Sequence, residues 1–346
     1  MNNQSKKILI TGILGQDGAN MAEYLLSLNE ETKVYGMMRR SSNVNETNIL
    51  SFKDNPRFSL VYGDLADEIS IDRLVKEIEP DYFINFAANS FVGCSWDMPL
   101  QVFDVNTLGV IRSLEAIRKF KPDCRFYSAG SSEELGDVDY SPQDINHPIK
   151  PRSPYGASKA AARHIVKVYR ESYGLYAMHS ILFNHEGLRR GEEFVTRKIT
   201  KAVAKIATAI ANNEDFKPIK LGNVNARRED FVKAIWLMLN QEKPKEYILS
   251  SNETHSIREF VEKAFGYAYI SGGWHGEGLD EKFLHEGNNV ALVEISEDFY
   301  RPAEVELLYG DSTPARIELK WNPEISFDNL VQRMVEYDLE LEHAKR

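Results

Sequence analysis

Only two cysteines, Cys94 and Cys124, occur in 346 residues. That is too few for a disulfide framework, so both are expected to be reduced core thiols in a cytosolic protein. No apolar run is long enough to span a bilayer, and MNNQSKKILITG enters a strand pattern without the apolar stretch of a secretory signal. Positive charge is not in excess: the formal net charge is −10, which argues against a general nucleic-acid binder while leaving room for a local basic phosphate pocket. Internal repeats and low-complexity linkers are missing too, and no metal is expected. What remains is a chain of ordinary globular composition, 42% hydrophobic and 27% charged. It is expected to be soluble and cytoplasmic, without membrane or nucleic-acid partners, and has length for one large domain or one and a half.

The first half alternates short apolar runs with amphipathic segments. KILITG, KVYGMM, FSLVYGDL, YFINFAA and CRFYSAG read as strands, and YAMHSILFN follows as a sixth. Stretches such as DGANMAEYLLSLN and PLQVFDVNTLGVIRSLEAIRKF read as helices between them. Buried strands alternating with helices predict an α/β fold, a Rossmann-type doubly wound parallel sheet. Beyond residue 186 the pattern loosens, with helices at FVTRKITKAVAKIATAIAN, EDFVKAIWLMLN, SIREFVEKAFG and FDNLVQRMVEYDLELEHAKR. The expected division is a dinucleotide-binding domain over 1–186 and a smaller mixed substrate-binding lobe over 187–346, interwoven with the first.

TGILGQDGANMAEYLL carries Gly12, Gly15 and Gly18 directly after a strand and at the opening of a helix. Glycines there let the backbone approach a pyrophosphate at the helix N-terminus. A glycine-rich turn without a ligand is the competing reading. The second strand ends VYGMMRRSS, where an acidic residue would suit the ribose 2′-hydroxyl and arginine suits a 2′-phosphate. Arg39 and Arg40 are therefore read as NADP ligands, against the alternative of two solvated surface arginines. Asp64, in GDLAD, stands where it could accept from an adenine amino group.

SPYGASKAA contains Tyr155 and Lys159, four apart on one helix face. An ammonium beside a phenol favours the phenolate, a base for alcohol oxidation. YSAGSSEELGDV adds two hydroxyls and two carboxylates at a strand end, and turn chemistry alone explains the small residues but not the acids.

In these segments, and in GQDG, FNHEGLRRGEEFVTRKIT and YRPAEVELLYGD, the chain resembles the GDP-mannose 4,6-dehydratases, extended short-chain dehydrogenases. The resemblance runs over nearly the whole length. It implies that Ser131 contacts the sugar 4-oxygen, that Ser132 is the middle position, and that Glu133 handles the C5 proton. Glu134, where relatives usually carry an apolar residue, is expected to be a solvated turn carboxylate. Further cofactor contacts are implied at Gln16, Asp17, Leu65, Ala87, Ala88, His185 and Arg190. GDP-sugar contacts are implied at Asn89, Ser90, Asn184, Glu186, Thr196, Lys198, Arg227, Arg228, Arg301 and Glu304. A homodimer or homotetramer is implied as well, with RRSSNVNETN reaching a neighbour's cofactor site in tetramers.

Asn89, Phe91, Leu135 and the HEGL segment depart from the family pattern, and several are expected near the sugar. GDP-manno-heptose is therefore an alternative substrate to GDP-mannose. The segment after Arg228 is shorter than in relatives, which leaves the choice between Arg227 and Arg228 open. A 4-epimerase would share Tyr155, Lys159 and Ser131 but has no use for an acid at Glu133. A non-catalytic nucleotide-sugar or NADP sensor would not need the intact Ser-Glu-Tyr-Lys set. A structural scaffold has no sequence feature in its favour.

Overall fold

The apolar run KKILIT forms the first strand, β1 (Lys6–Thr11), whose residues alternate between two cores. The computed structural model describes residues 5–28, 31–221, 231–297 and 309–345. Strands β2 (Thr32–Met38), β3 (Phe58–Tyr62), β4 (Tyr82–Asn85), β5 (Arg125–Ala129) and β6 (Ala177–Leu182) follow. Between them run helices α1 (Gln16–Ser27), α2 (Glu68–Ile78), α3 (Pro99–Phe103), α4 (Gly109–Phe120) and α5 (Pro154–Tyr173). Next come α6 (Val195–Ala211), β7 (Ile219–Leu221), α7 (Phe231–Leu239), β8 (Tyr247–Leu249) and α8 (Ile257–Tyr267). The remaining elements are β9 (Gly272–His275), β10 (Lys282–His285), β11 (Ala291–Ile295), α9 (Thr313–Leu319) and α10 (Phe327–His343).

The chain divides into two compact units. The first holds the described residues within 1–183, 230–252 and 305–322, the second those within 184–229, 253–304 and 323–346. The chain thus returns twice to the first unit, and α7, β8 and α9 belong to it rather than to a lobe beginning near residue 187.

In the first unit seven strands form one sheet in the order β3-β2-β1-β4-β5-β6-β8, every pair parallel. Ile8, Ile10, Ile84 and Tyr127 face one core with α1, α7 and α9. Leu9, Phe83 and Phe126 face the other, with α2, α4 and α5. Cover on both faces is why these strands read as continuous apolar runs, and each fully buried Phe or Ile contributes roughly 1.5–3 kcal/mol. The order reverses between β1 and β4, and the carboxyl ends of strands at such a switch point open a ligand crevice.

Strand β8 was not anticipated. It pairs with β6, and Glu246 just ahead of it takes Arg163 at 3.0 Å and Arg170 at 3.2 Å, both from α5.

The second unit carries the sheet β7-β11-β10-β9, in which β7 lies parallel to β11 and the other pairs are antiparallel. Its core draws on Ile199 and Val203 of α6, Phe260 and Phe265 of α8, and Leu330 and Met334 of α10. Within it Arg197 meets Asp338 at 2.9 Å, and the Thr200 hydroxyl donates to the same carboxylate at 2.7 Å.

Both cysteines are free thiols, but only Cys124 is a core residue. Cys94 is half-buried, and its Sγ donates to the Phe91 carbonyl oxygen at 3.0 Å. Among the described residues no helix is long and apolar enough to cross a membrane.

Candidate active site

The turn from β1 into α1 is built for close backbone approach. Gly12 has φ +71, and a Cβ there would lie 2.8 Å from the Ala87 amide nitrogen. A Cβ on Gly18 would lie 2.3 Å from the Gly12 carbonyl oxygen. Helix α1 follows Gly15, which supplies no side-chain cap, so no capping side chain covers the helix N-terminus, the kind of end that suits an anionic group. The Thr11 hydroxyl bonds the Asn85 side chain and accepts from the Ala87 amide at 3.1 Å, fastening the end of β4 to this loop. Gln16 is buried, Asp17 half-buried, and the Asn48 side chain donates to the Leu14 carbonyl oxygen at 2.9 Å.

Arg39 and Arg40 follow β2 directly. Both are exposed, and neither makes a hydrogen bond or ion pair among the described residues. The glycine cradle, uncapped helix terminus and two exposed guanidinium groups fit a dinucleotide. Asp64 is half-buried, and its carboxylate accepts from the Ala66 amide at 3.0 Å. Leu65 is a core side chain, so what it can offer a ligand is backbone.

Beyond β4, Ala87, Ala88 and Asn89 are half-buried, and Ser90 is exposed. The Asn89 amide donates to the Asn106 side chain at 2.8 Å. Asn106 in turn donates to the Ser158 hydroxyl at 3.0 Å, which donates to the Tyr155 carbonyl oxygen at 2.7 Å. This buried chain fixes the loop after β4 to the first turns of α5.

Helix α5 starts where SPYGASK says it should. The Ser153 hydroxyl accepts from the Gly156 amide at 3.0 Å, Pro154 occupies the first turn, and Gly174 ends the helix at φ +68. Tyr155 and Lys159 are both buried on its inner face. The Lys159 ammonium donates to the Ala129 carbonyl oxygen at 2.7 Å, at the end of β5. Burial pushes it down to about 8, with the carboxylates of Glu134 and Asp17 opposing that fall.

The opening of YSAGSSEELGDV resolves into a short turn over Ser132–Glu134. The Ser131 hydroxyl accepts from the Glu133 amide at 3.2 Å, and Ser131 and Glu133 are half-buried. A Cβ on Gly156 would lie 2.4 Å from the Glu133 carbonyl oxygen, so the turn packs against α5 beside Tyr155. Ser131, Glu133, Tyr155 and Lys159 thus gather at the carboxyl end of β5.

Glu134 is not the solvated carboxylate expected. It is fully buried, accepting from the Ser131 amide at 2.8 Å and pairing with His179 of β6 at 2.8 Å. The spacing Ser131-x-x-Glu134 is a capping-box signature, which was the available signal. Leu135 is a core residue packed with Ile181, Phe183 and Ile248.

In the second unit Glu186 is buried and joins Arg190 at 3.1 Å and the Thr196 hydroxyl at 2.5 Å. Thr196 is fully buried, so its side chain orients Glu186 instead of being displayed. Arg190 stacks 3.5 Å from the Phe194 ring centroid. The Lys198 ammonium donates to the Lys220 carbonyl oxygen at 2.8 Å, and burial lowers its pKa. Asn184 is exposed and His185 half-buried. Arg227, Arg228, Arg301 and Glu304 lie outside the described residues.

A family model for GDP-mannose 4,6 dehydratase matches residues 9–334. The GDP-mannose 4,6 dehydratase of Drosophila melanogaster is 41% identical over 353 aligned residues, covering 98% of this chain and 88% of that protein. The Homo sapiens protein of the same name is 40% identical, covering 96% and 91%. Among solved structures, DesIV (dTDP-glucose 4,6-dehydratase) from Streptomyces venezuelae with NAD and TYD bound is similar, with a TM-score of 0.80, 19% identity and 98% of each chain covered. RMD from Pseudomonas aeruginosa complexed with NADPH is similar too, with a TM-score of 0.75, 19% identity and coverage of 97% and 100%. These two structures speak for the fold alone. The match across nearly the whole sequence decides the relationship: the chain belongs to the GDP-mannose 4,6-dehydratase family.

Proposed function

We propose that the protein is a nucleotide-sugar 4,6-dehydratase converting GDP-D-mannose to GDP-4-keto-6-deoxy-mannose with NADP. The observation that carries this reading is the gathering of Ser131, Glu133, Tyr155 and Lys159 at the end of β5, around the buried Lys159–Ala129 hydrogen bond. The names of relatives at 41% and 40% identity support the substrate. The Gly12–Gly18 loop and Arg39 and Arg40 are the residues that would hold the cofactor. When bound, it supplies a reversible hydride acceptor, so the reaction needs no second redox substrate.

Tyr155 takes the proton of the sugar C4 hydroxyl, and the Lys159 ammonium favours the phenolate that does so. Ser131 holds the C4 oxygen. The resulting 4-ketone acidifies the C5–H bond, and Glu133 removes that proton. The same carboxyl passes it to the departing C6 hydroxyl, which leaves as water. The Tyr155 phenol then gives its proton to C5 as C6 is reduced, which restores the protonation states with which the cycle began. An acid at Glu133 favours dehydration over 4-epimerisation, which needs no base at C5. At the nucleotide end, Lys198, Arg227, Arg228 and Arg301 are the proposed diphosphate cations. Glu304 is the proposed guanine acceptor.

Mass spectrometry of GDP-mannose and GDP-manno-heptose, each incubated with protein and NADP⁺, tests the reading. Loss of one water without net NADPH is expected, fastest from GDP-mannose. A preference for the heptose corrects the sugar, and a stereochemical change at unaltered mass replaces the dehydratase with an epimerase. We further infer a cytoplasmic homodimer or homotetramer, in which the exposed segment after β2 reaches a neighbouring cofactor site in the tetramer. Sedimentation showing only monomer at micromolar concentration contradicts that assembly.

A further inference from the structure

Beneath the catalytic turn lies an acid–imidazole pair that the proposed chemistry does not use. Glu134 and His179 are fully buried and joined Oε1 to Nε2 at 2.8 Å. The same Oε1 accepts the Ser131 amide at 2.8 Å. Both side chains press on Gly130, where a Cβ would lie 2.1 Å from His179 Nε2 and 2.5 Å from Glu134 Oε1. One residue earlier, the Ala129 carbonyl oxygen receives the Lys159 ammonium. Three consecutive residues of backbone therefore carry the lysine, the pair and the serine.

Hydrogen-bond satisfaction bears on the charge of the pair, in which Glu134 Oε2 is also buried without a hydrogen-bond partner among the described residues. An Nε2–H donor on His179 satisfies the contact with Glu134 Oε1, which already accepts the Ser131 amide, while Nδ1 is buried with no hydrogen-bond partner among the described residues. A proton on Nδ1 would strand a cationic donor, whereas a bare lone pair there costs less. A neutral imidazole beside a carboxylate leaves the pair with one negative charge.

We propose that Glu134 is a positioning residue: held ionised by a neutral His179, it fixes the Ser131 amide and, together with Asp17, is a counter-charge that favours the Lys159 ammonium. The inference rests on the reading of Lys159 and Ser131 as reaction-site residues. Other groups bear on the same cluster. Lys159 also faces Asp17 and the Tyr155 ring, and Glu134 faces Tyr127. His179 faces Glu246, which is itself paired with Arg163 and Arg170. Because Asp17 remains, loss of Glu134 shifts the lysine titration without abolishing the charge.

The first test is nitrogen NMR of the His179 ring in the full chain without substrate or cofactor, assigned by comparison with His179→Gln. The neutral Nε2–H form is expected throughout about pH 6 to 8, the range in which an ordinary histidine titrates. An imidazolium in that range overturns the proposal. The second test is the pH profile of Glu134→Gln, which keeps an acceptor for Ser131 but no charge. Its alkaline limb should move down by about one pH unit, with kcat reduced several-fold, KM within about twofold, and the limb restored by Glu134→Asp. An unmoved limb reduces the pair to packing. Should Glu134→Gln fail to fold, the imidazole titration alone decides. That titration is read without turnover, so its failure and a failure of the dehydratase reading are distinguishable.

Discussion

Lys159 holds its Nζ 6.0 Å from the ring centroid of Tyr155 while donating to the Ala129 carbonyl oxygen at 2.7 Å. The lysine is thus held by the strand end and tuned by burial, close to the Tyr155 phenol. On the proposed mechanism activity needs the ammonium, which is present below about 8 and lost above it. The profile of kcat/KM should therefore fall as pH rises through about 8. Stability moves the other way: from about 8 to 10.5 the unfolded chain holds a proton the folded lysine has lost, so this group's contribution to stability rises with pH. Activity that keeps climbing past pH 9 would contradict this assignment.

Arg39 and Arg40 stand exposed after β2 without partners among the described residues. Replacing both by alanine should weaken NADP⁺ binding about 10- to 100-fold, the loss of a charge-assisted hydrogen bond or two, while NAD⁺ binding changes little. Cofactor titration by fluorescence or calorimetry checks this. Equal losses for the two cofactors would place the 2′-phosphate elsewhere.

Glu246 anchors β8 through Arg163 and Arg170. Burial alone would raise its pKa, but the two guanidinium groups, Arg163 foremost, hold it below 4.5. Its stabilisation is therefore complete above about pH 4.5 and is lost as pH falls through the lower folded value. Glu246→Gln leaves two largely buried arginines short of a counter-charge and should cost about 3 kcal/mol. Denaturant unfolding at neutral pH measures that loss, and a change under about 0.5 kcal/mol would mean the pairs behave as surface ones.

The strands up to β6 and the glycine loop were legible because their chemistry is local: apolar runs bounded by turn residues, and glycines between a strand and a helix. Strand β8 was not, since Tyr247, Ile248 and Leu249 are too short a run and become a strand only by pairing with β6. Glu134 was misread for a related reason. Its capping box was visible in Ser131-x-x-Glu134, but its partner His179 lies 45 residues on, and only the β5–β6 pairing brings them together. The hydrogen bond from the Thr196 hydroxyl to Glu186 was likewise not legible, since only the fold brings the two side chains together.

The central claim is that Glu133 is the base at C5 while Tyr155 and Lys159 oxidise C4. A single-turnover experiment with Glu133→Gln, NADP⁺ and GDP-mannose tests it most directly. The account predicts that reduced cofactor accumulates and that the sugar nucleotide loses no water. Dehydration at the wild-type rate in this variant would contradict it and return Glu133 to the ordinary residues of a turn.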